Sequence, residues 1–282
     1  METTRSKAKA LVLCSLFSCL CIISSAQDYY GGGGNGSWRK QPSNNTQQKD
    51  KDKDNTAEDP SGFISINYGF ANPQGGFQAI GSQYGGYALA GSNFNFSMGI
   101  PINHTNFGVA LMFGSYDNEY DLNTFSNNNQ VSPVYPDQND YSESSIMGGL
   151  FVTYPLIGNL SADARLMGGV LLSSLPEQDI AYEDITGDQY QYDLQPSNST
   201  SFAFDAGIGL RLMIAEFGRR KICVMANVDY LYSSVPYNTE QTEYYTPYAN
   251  NPTNITYMQN YSVNGHLPVQ LLNITFGIGY QL

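Results

Sequence analysis

Five charged residues stand inside stretches that are otherwise apolar, small or amide-bearing. They are Asp163 and Arg165 in "LSADARLMGGVLL", Asp205 and Arg211 in "SFAFDAGIGLRLMI", and Asp229 in "VMANVDYLY". In each stretch the charge occupies the small or polar side of a period-two pattern, so all five belong to one face of a sheet. A charge held on such a face away from water needs an opposite partner. Paired, the five make a polar plug that sets strand register; the sharper alternative is a narrow ion path or gate.

A second group is acidic. "DNEYD" sets Asp117, Glu119 and Asp121 at alternate positions, and "EDITGD" gathers Glu183, Asp184 and Asp188. Oxygen clusters of this kind can hold a hard cation such as Ca²⁺, although neither stretch has the twelve-residue spacing of an EF-hand loop. For nucleophilic catalysis the one candidate base is His266, just before the last strand, with Ser262 and Ser234 as candidate neighbours. The other histidine, His104, lies in a tight turn. There is no Gly-x-Ser-x-Gly, no phosphate loop and no metal-spaced His/Cys set. The expectation is a non-enzymatic protein with no catalytic residues and no cofactor.

The elements that must position these residues are strands. Eight stretches from Gly62 onward alternate apolar with small or polar: "FISINYGFA", "YALAGSNFNFSMGI", "NFGVALMFGSY", "SIMGGLFVTYPL", "LSADARLMGGVLL", "SFAFDAGIGLRLMI", "KICVMANVDYLY" and the terminal "LLNITFGIGYQL". No stretch sustains a helical period. The pattern predicts strands of about 9–14 residues, longer than the usual ~5–6. Joins alternate between tight ("PINHTN", "IGN", "AEFGRR") and long (71–86, 116–143, 174–200 and 234–268). An antiparallel up-and-down meander trimmed at one end and elaborated at the other gives this alternation. With an even strand count, the first strand can pair with the last and remove both free edges.

The faces then decide the solvent. The non-apolar face is Gly, Ser, Asn and Thr with a few charges, unlike the Lys- and Glu-rich face that a sheet shows to water. Only 13% of the residues are charged. Small side chains with a few opposite charges suit a narrow lumen, and the large apolar face with terminal Tyr suits lipid. In this architecture, and in a final strand of alternating hydrophobics, the sequence resembles the small eight-stranded outer-membrane β-barrels, the OmpA-transmembrane/OmpX-like group, and more closely the Bacteroidota-type outer-membrane β-barrel domain proteins. The resemblance covers about residues 62–282. It implies an all-β fold: an eight-stranded antiparallel up-and-down transmembrane β-barrel with long extracellular loops, monomeric, in the bacterial outer membrane. It implies outer-membrane lipid, lipopolysaccharide and the barrel-insertion machinery as partners. Such families commonly end on an aromatic residue, whereas this chain ends on Leu282 with Tyr280 two before it. Two alternatives stand beside it: a rim-site lipid-modifying outer-membrane enzyme using His266, as some eight-stranded barrels of this resemblance are, and a soluble lipocalin-like binding barrel, whose Gly-x-Trp signature is missing, the single Trp being Trp38.

The N-terminal part reads differently. Arg5, Lys7 and Lys9 precede the apolar run "ALVLCSLFSCLCII" and the small residues "SSA", which predicts a signal peptide over 1–26. "LFSC" ending at Cys19 loosely resembles a lipobox and supplies a lipoprotein alternative. Cleavage would leave Cys223 as the one remaining cysteine and rule out an intramolecular disulfide. Residues 27–61 are polar, aperiodic and Gly/Asn/Lys/Asp-rich, which predicts a disordered periplasmic linker. The formal net charge of −12 argues against nucleic acid as a partner.

Charge is also segregated along the barrel. The joins 116–143, 174–200 and 234–268 contain no Lys or Arg but many Asp and Glu, whereas Arg219, Arg220 and Lys221 sit at a tight turn. This puts tight turns in the periplasm and acidic loops outside. Thirteen tyrosines fall in the same loops. Tyr offers large contact area at low entropy cost, so an extracellular ligand or surface is a partner class to test beside a merely soluble, cation-associated loop layer.

Overall fold

The computed structural model describes residues 62–80, 85–103, 105–129, 132–133, 140–183, 188–217, 220–246 and 257–281. The signal and linker readings over 1–61, the lipobox Cys19, His104, Asp184, Arg219 and the terminal Leu282 lie outside the described residues.

Among the described residues eleven strands form: β1 (Phe63–Pro73), β2 (Gly91–Pro101), β3 (Phe107–Asn118), β4 (Ser132–Pro133), β5 (Tyr141–Pro155), β6 (Leu160–Ser174), β7 (Gln178–Glu183), β8 (Gln189–Leu194), β9 (Asn198–Phe217), β10 (Arg220–Thr246) and β11 (Tyr257–Gln281). Eight of them close a ring of antiparallel neighbours, β1-β2-β3-β5-β6-β9-β10-β11, with β11 returning to β1. The closing pair runs from Phe63 opposite Gln281 to Pro73 opposite Leu271. The terminal stretch and "FISINYGF" therefore pair as the alternation predicts.

Register fixes the barrel's dimensions. A path perpendicular to the strands runs Tyr280–Ile64–Met98–Leu111–Gly148–Gly168–Phe204–Tyr232 and returns to β11 at Gln270, ten residues from its start. A stagger of ten over eight strands, at 3.3 Å per residue and 4.8 Å between strands, gives a tilt of about 40° and a backbone radius of about 8 Å. An interior of that width is filled by side chains.

The tight turns need special backbone at two places. Asn103 between β2 and β3 and Gly158 between β5 and β6 have φ of +50° and +59°, the left-handed region that Gly and Asn tolerate best. The Thr105 hydroxyl donates to the Ile102 carbonyl at 2.6 Å and closes the first of these turns.

The large apolar residues point out. Ile208 and Ile278 are 67% and 66% exposed, and Phe276 is 60% exposed. Their sequence neighbours Gly207, Gly209, Thr275 and Gly277 face the lumen. The soluble-barrel alternative requires the opposite arrangement and is ruled out. At the loop end the apolar belt stops on every strand at one polar outward residue: Asn72, Ser92, Ser115, Ser144, Ser174, Thr200, Ser234 and Gln270. On β11 the belt runs from Leu272 to Tyr280. Nine residues at that tilt span about 20–25 Å, the height of a lipid-facing band.

Two sequence expectations fail here. First, the strands are not limited to 9–14 residues: β9, β10 and β11 have 20, 27 and 25. Much of 174–200 and 234–268, read as loop, is strand. β10 and β11 stay paired out to Tyr245 opposite Tyr257, and β8, β7 and β4 add to the outer part of β10. The result is a five-stranded sheet beyond the belt. Apart from Val235, Leu267 and Val269, buried where it joins the barrel, its residues are mostly polar or Tyr, so apolar alternation carries little trace of it. Second, the lumen is not small and polar throughout. Its loop-end part is apolar, with Leu171, Leu231, Leu271, Val235 and Val269 all buried.

Candidate functional site

The lumen is built in storeys. At the turn end, Arg211 meets Asp163 at 2.9 Å, its guanidinium lies 4.5 Å over the Phe63 ring, and Thr153 donates to the second oxygen of Asp163. One step up, Arg165 makes a two-pronged contact with Asp229, Nε to Oδ1 at 2.8 Å and Nη2 to Oδ2 at 2.5 Å. Asp205 stands 4.0 Å from the same guanidinium. The five charges singled out from sequence thus gather into two adjacent ion-pair groups on β6, β9 and β10. They meet because the β6–β9 register sets Asp163 opposite Gly209 and Arg165 opposite Gly207, leaving room for both side chains to cross. An added Cβ at Gly207 would collide with the Asp229 carboxylate.

Amides and hydroxyls fill the opposite wall. Asn67 donates to Asn95 at 2.7 Å and to Ser65 at 3.2 Å, Ser65 shares a proton with Ser97 at 2.7 Å, and Asn227 reaches Asn67 at 3.3 Å. This network holds the two walls together across the barrel axis. The void beside Phe63, Phe151 and Arg211 is about 20 Å³, room for about one water.

Sequence reading missed three inward groups. Lys221 is buried at the turn end, Glu143 is fully buried at the loop end, and Tyr116, also buried, hydrogen-bonds Ser145 at 3.3 Å. Each shares its strand's lumen-facing parity: Lys221 opens the quoted stretch "KICVMANVDYLY", Tyr116 closes "NFGVALMFGSY", and Glu143 lies two residues before "SIMGGLFVTYPL", so parity alone would have placed them inside.

Above the charges a cap closes the mouth. The segment after β1 turns at Gly75 (φ +53°) and forms a short helix, Gly75–Gln78, that drives Phe77 into the lumen. Gln74 donates its amide to the Gln270 carbonyl at 2.8 Å, and the Tyr141 hydroxyl donates to the Gly86 carbonyl at 2.6 Å. Phe77 stacks edge-on against Tyr141 with centroids 4.9 Å apart. Tyr87, Tyr120 and Phe125 continue the aromatic cluster. Burial raises the Tyr120 hydroxyl above the usual tyrosine range, with further contributions from Tyr141 and Tyr87. Beside the cluster, under the outer sheet, lies a cavity of about 240 Å³.

Of the acidic residues considered for Ca²⁺, Asp117, Asp121 and Asp188 accept hydrogen bonds within the fold. Asp121 caps the helix Leu122–Asn129 by accepting from the Thr124 amide at 3.0 Å. Asp117 ends β3 and accepts from Ser142 at 3.1 Å. Glu119 lies in the segment between β3 and that helix. Asp188 accepts from the Tyr245 hydroxyl at 2.8 Å, and Glu183 ends β7. Among the described residues no three acidic, His or Cys side chains gather in metal-binding range. His266 lies opposite Pro236 on β11, whereas Ser262 lies opposite Glu240 and gives its hydroxyl to Asn238. Four residues of extended strand separate His266 from Ser262, about 13 Å. Ser234 is opposite Pro268.

No protein-family model matches the chain, and no curated protein matches it. Solved structures give distant likenesses. Neisserial surface protein A has 14% identity and a TM-score of 0.45, covering 78% of this chain and 97% of that one. The outer membrane protein OprG from Pseudomonas aeruginosa has 14% identity and a TM-score of 0.37, covering 79% and 97%. The outer membrane protein AlkL, solved in lipid bilayers, has 10% identity and a TM-score of 0.34, covering 88% and 97%. The barrel itself is assigned from its own closed strand ring.

Proposed function

We propose that this chain is a non-enzymatic outer-membrane barrel, closed to flow, that holds a rigid extracellular sheet as an interaction surface. The outward belt of Ile, Leu, Val and Phe supports lipid as its surroundings, because an apolar surface of that extent in water would drive association. The turn end carries Arg220 and Lys221 and the loop end carries the acids, which orients tight turns to the periplasm and the sheet outward. The ion-pair storeys and the Phe77 cap support a lumen that anchors rather than conducts.

One observation carries the interaction reading. β10 and β11 run 13 and 14 residues past the last belt residues Tyr232 and Leu272, counting from Ser234 to Thr246 and from Tyr257 to Gln270. Ring closure needs none of that length. The extension carries acids and tyrosines in ordered positions, such as Tyr190 against Tyr245 with centroids 5.0 Å apart.

The test has two arms. Membranes expressing the protein are fractionated by flotation, and purified protein is added to planar bilayers. The expected result is recovery with the outer membrane, heat-dependent gel migration and no steady conductance. Recovery as soluble protein, or a large steady conductance, overturns the proposal.

A further inference from the structure

The cavity at the loop end has a composition that selects its ligand. Its walls include the rings of Tyr120, Phe125, Tyr141 and Tyr237, with His266 at one side. Four aromatic rings around one space offer a ring-face surface for a cation. Directly beneath, two residues along β5 from Tyr141, is Glu143, which is 0% exposed. Among the described residues it makes no ion pair; the Ser173 hydroxyl and the Asp117 carboxylate lie near it, and burial together with Asp117 pushes its carboxyl up to about 8, so it is protonated until a cation favours its charged form. Outside the belt at this end, the residues 116–143, 174–200 and 234–268 contain no Lys or Arg. A purely apolar guest would gain nothing from that one-sided charge, and an anion would be repelled by it.

We propose that this cavity binds a small organic cation, an ammonium carrying apolar substituents, held by the rings of Tyr120, Phe125, Tyr141 and Tyr237, with the buried Glu143 behind Tyr141 as the acid that its charge would ionise. The inference rests on the extracellular interaction reading and names its ligand class. About 240 Å³ accepts a trimethylammonium group with a short tail and excludes a large cation. The ammonium could arrive free or as a lipid headgroup; the recognising chemistry is the same.

The experiment uses the whole chain in phosphatidylglycerol nanodiscs, in which no lipid carries an ammonium. Choline and its neutral isostere 3,3-dimethylbutan-1-ol are titrated by saturation-transfer NMR. Choline is expected to bind at least tenfold more tightly than the isostere. Tyr237→Phe keeps the ring and should retain binding within about twofold, whereas Tyr237→Leu and Glu143→Gln should each weaken it at least fivefold. Heat-dependent gel migration checks that each variant is folded, and a variant that fails it is replaced by Phe125→Leu. Short-chain phosphatidylcholine added as competitor assigns the source: displacement of choline points to a headgroup, no displacement to a free cation. Equal binding of choline and isostere, or no choline binding at tens of millimolar, overturns the proposal. Loss of choline binding with intact flotation and closed bilayers would leave the barrel reading standing.

Discussion

Arg165→Met is the sharpest test of the lumen's organisation. In the folded barrel the Arg165 guanidinium is shared by Asp229, in a two-pronged contact, and by Asp205 at 4.0 Å. The side chains of Asp229 and Asp205 are only 3% and 0% exposed. Met fills a similar volume, so packing changes little while two buried carboxylates lose their cation. Removing one partner of a buried pair costs about 3–5 kcal/mol, mostly because the other charge is left uncompensated. The double variant Arg165→Met/Asp229→Asn removes one of those stranded charges and is expected to recover at least about 1 kcal/mol of the loss. The measurement is urea unfolding in lipid vesicles, followed by circular dichroism and gel shift, because the only Trp, Trp38, lies outside the barrel stretch. With a slope of about 2 kcal/mol per molar urea, the single variant should lower the midpoint by roughly 2 M. A shift below about 0.5 M would refute the claim that Arg165 compensates the lumen acids. So would a double variant worse than Arg165→Met, since stranded charge would then not be the cause.

Other outcomes follow from the same geometry. Ile208→Arg, at the middle of the belt segment of β9 and 67% exposed, should cost about 2–4 kcal/mol in vesicles, and the same change at Ser142, beyond the belt, should cost under about 1 kcal/mol; equal costs at both sites would remove lipid from the outer face. Phe77→Ala empties a fully buried site in the cap and should destabilise by about 3–5 kcal/mol, yet bilayer recordings should stay closed because the Arg211 and Arg165 storeys lie below it. Asp121→Ala should cost about 1 kcal/mol and speed amide exchange at Thr124, which loses its acceptor. Replacing Thr239–Val263 by an Asn-Gly turn should join Asn238 to its partner Asn264 and leave a barrel that still inserts and shows heat-dependent migration; failure to insert would make the outer sheet part of the folding unit.

Alternation and join length alone were enough for the eight-strand ring, because a period of two has only two faces and a meander closes only on its last strand. "FISINYGF" and "LLNITFGIGYQL" carry both facts openly. The same parity places Asp163, Arg165, Asp205, Arg211 and Asp229 on one face. Which of them meet is a matter of stagger. The β6–β9 and β9–β10 registers both place their residues opposite Gly207 and so set Arg165 against Asp229, 64 positions away, and no local pattern records those registers. The outer sheet was invisible for a different reason. Residues 238–246 and 257–266 are mostly polar even where Thr239 and Val263 face the cavity, so no apolar alternation marks them, and their pairing continues that of β10 and β11. The loop-end cavity is further still from the sequence. Tyr120, Phe125, Tyr141, Tyr237 and Glu143 come from three separate stretches and look, in one dimension, like ordinary loop tyrosines and one more surface acid. The amino-acid order determines which face of each strand meets lipid, through hydrophobicity and a period of two. Only the tertiary structure decides the rest: the registers of neighbouring strands select which charges pair in the lumen, and the folding of the loop segments over the barrel end selects which rings surround the cavity.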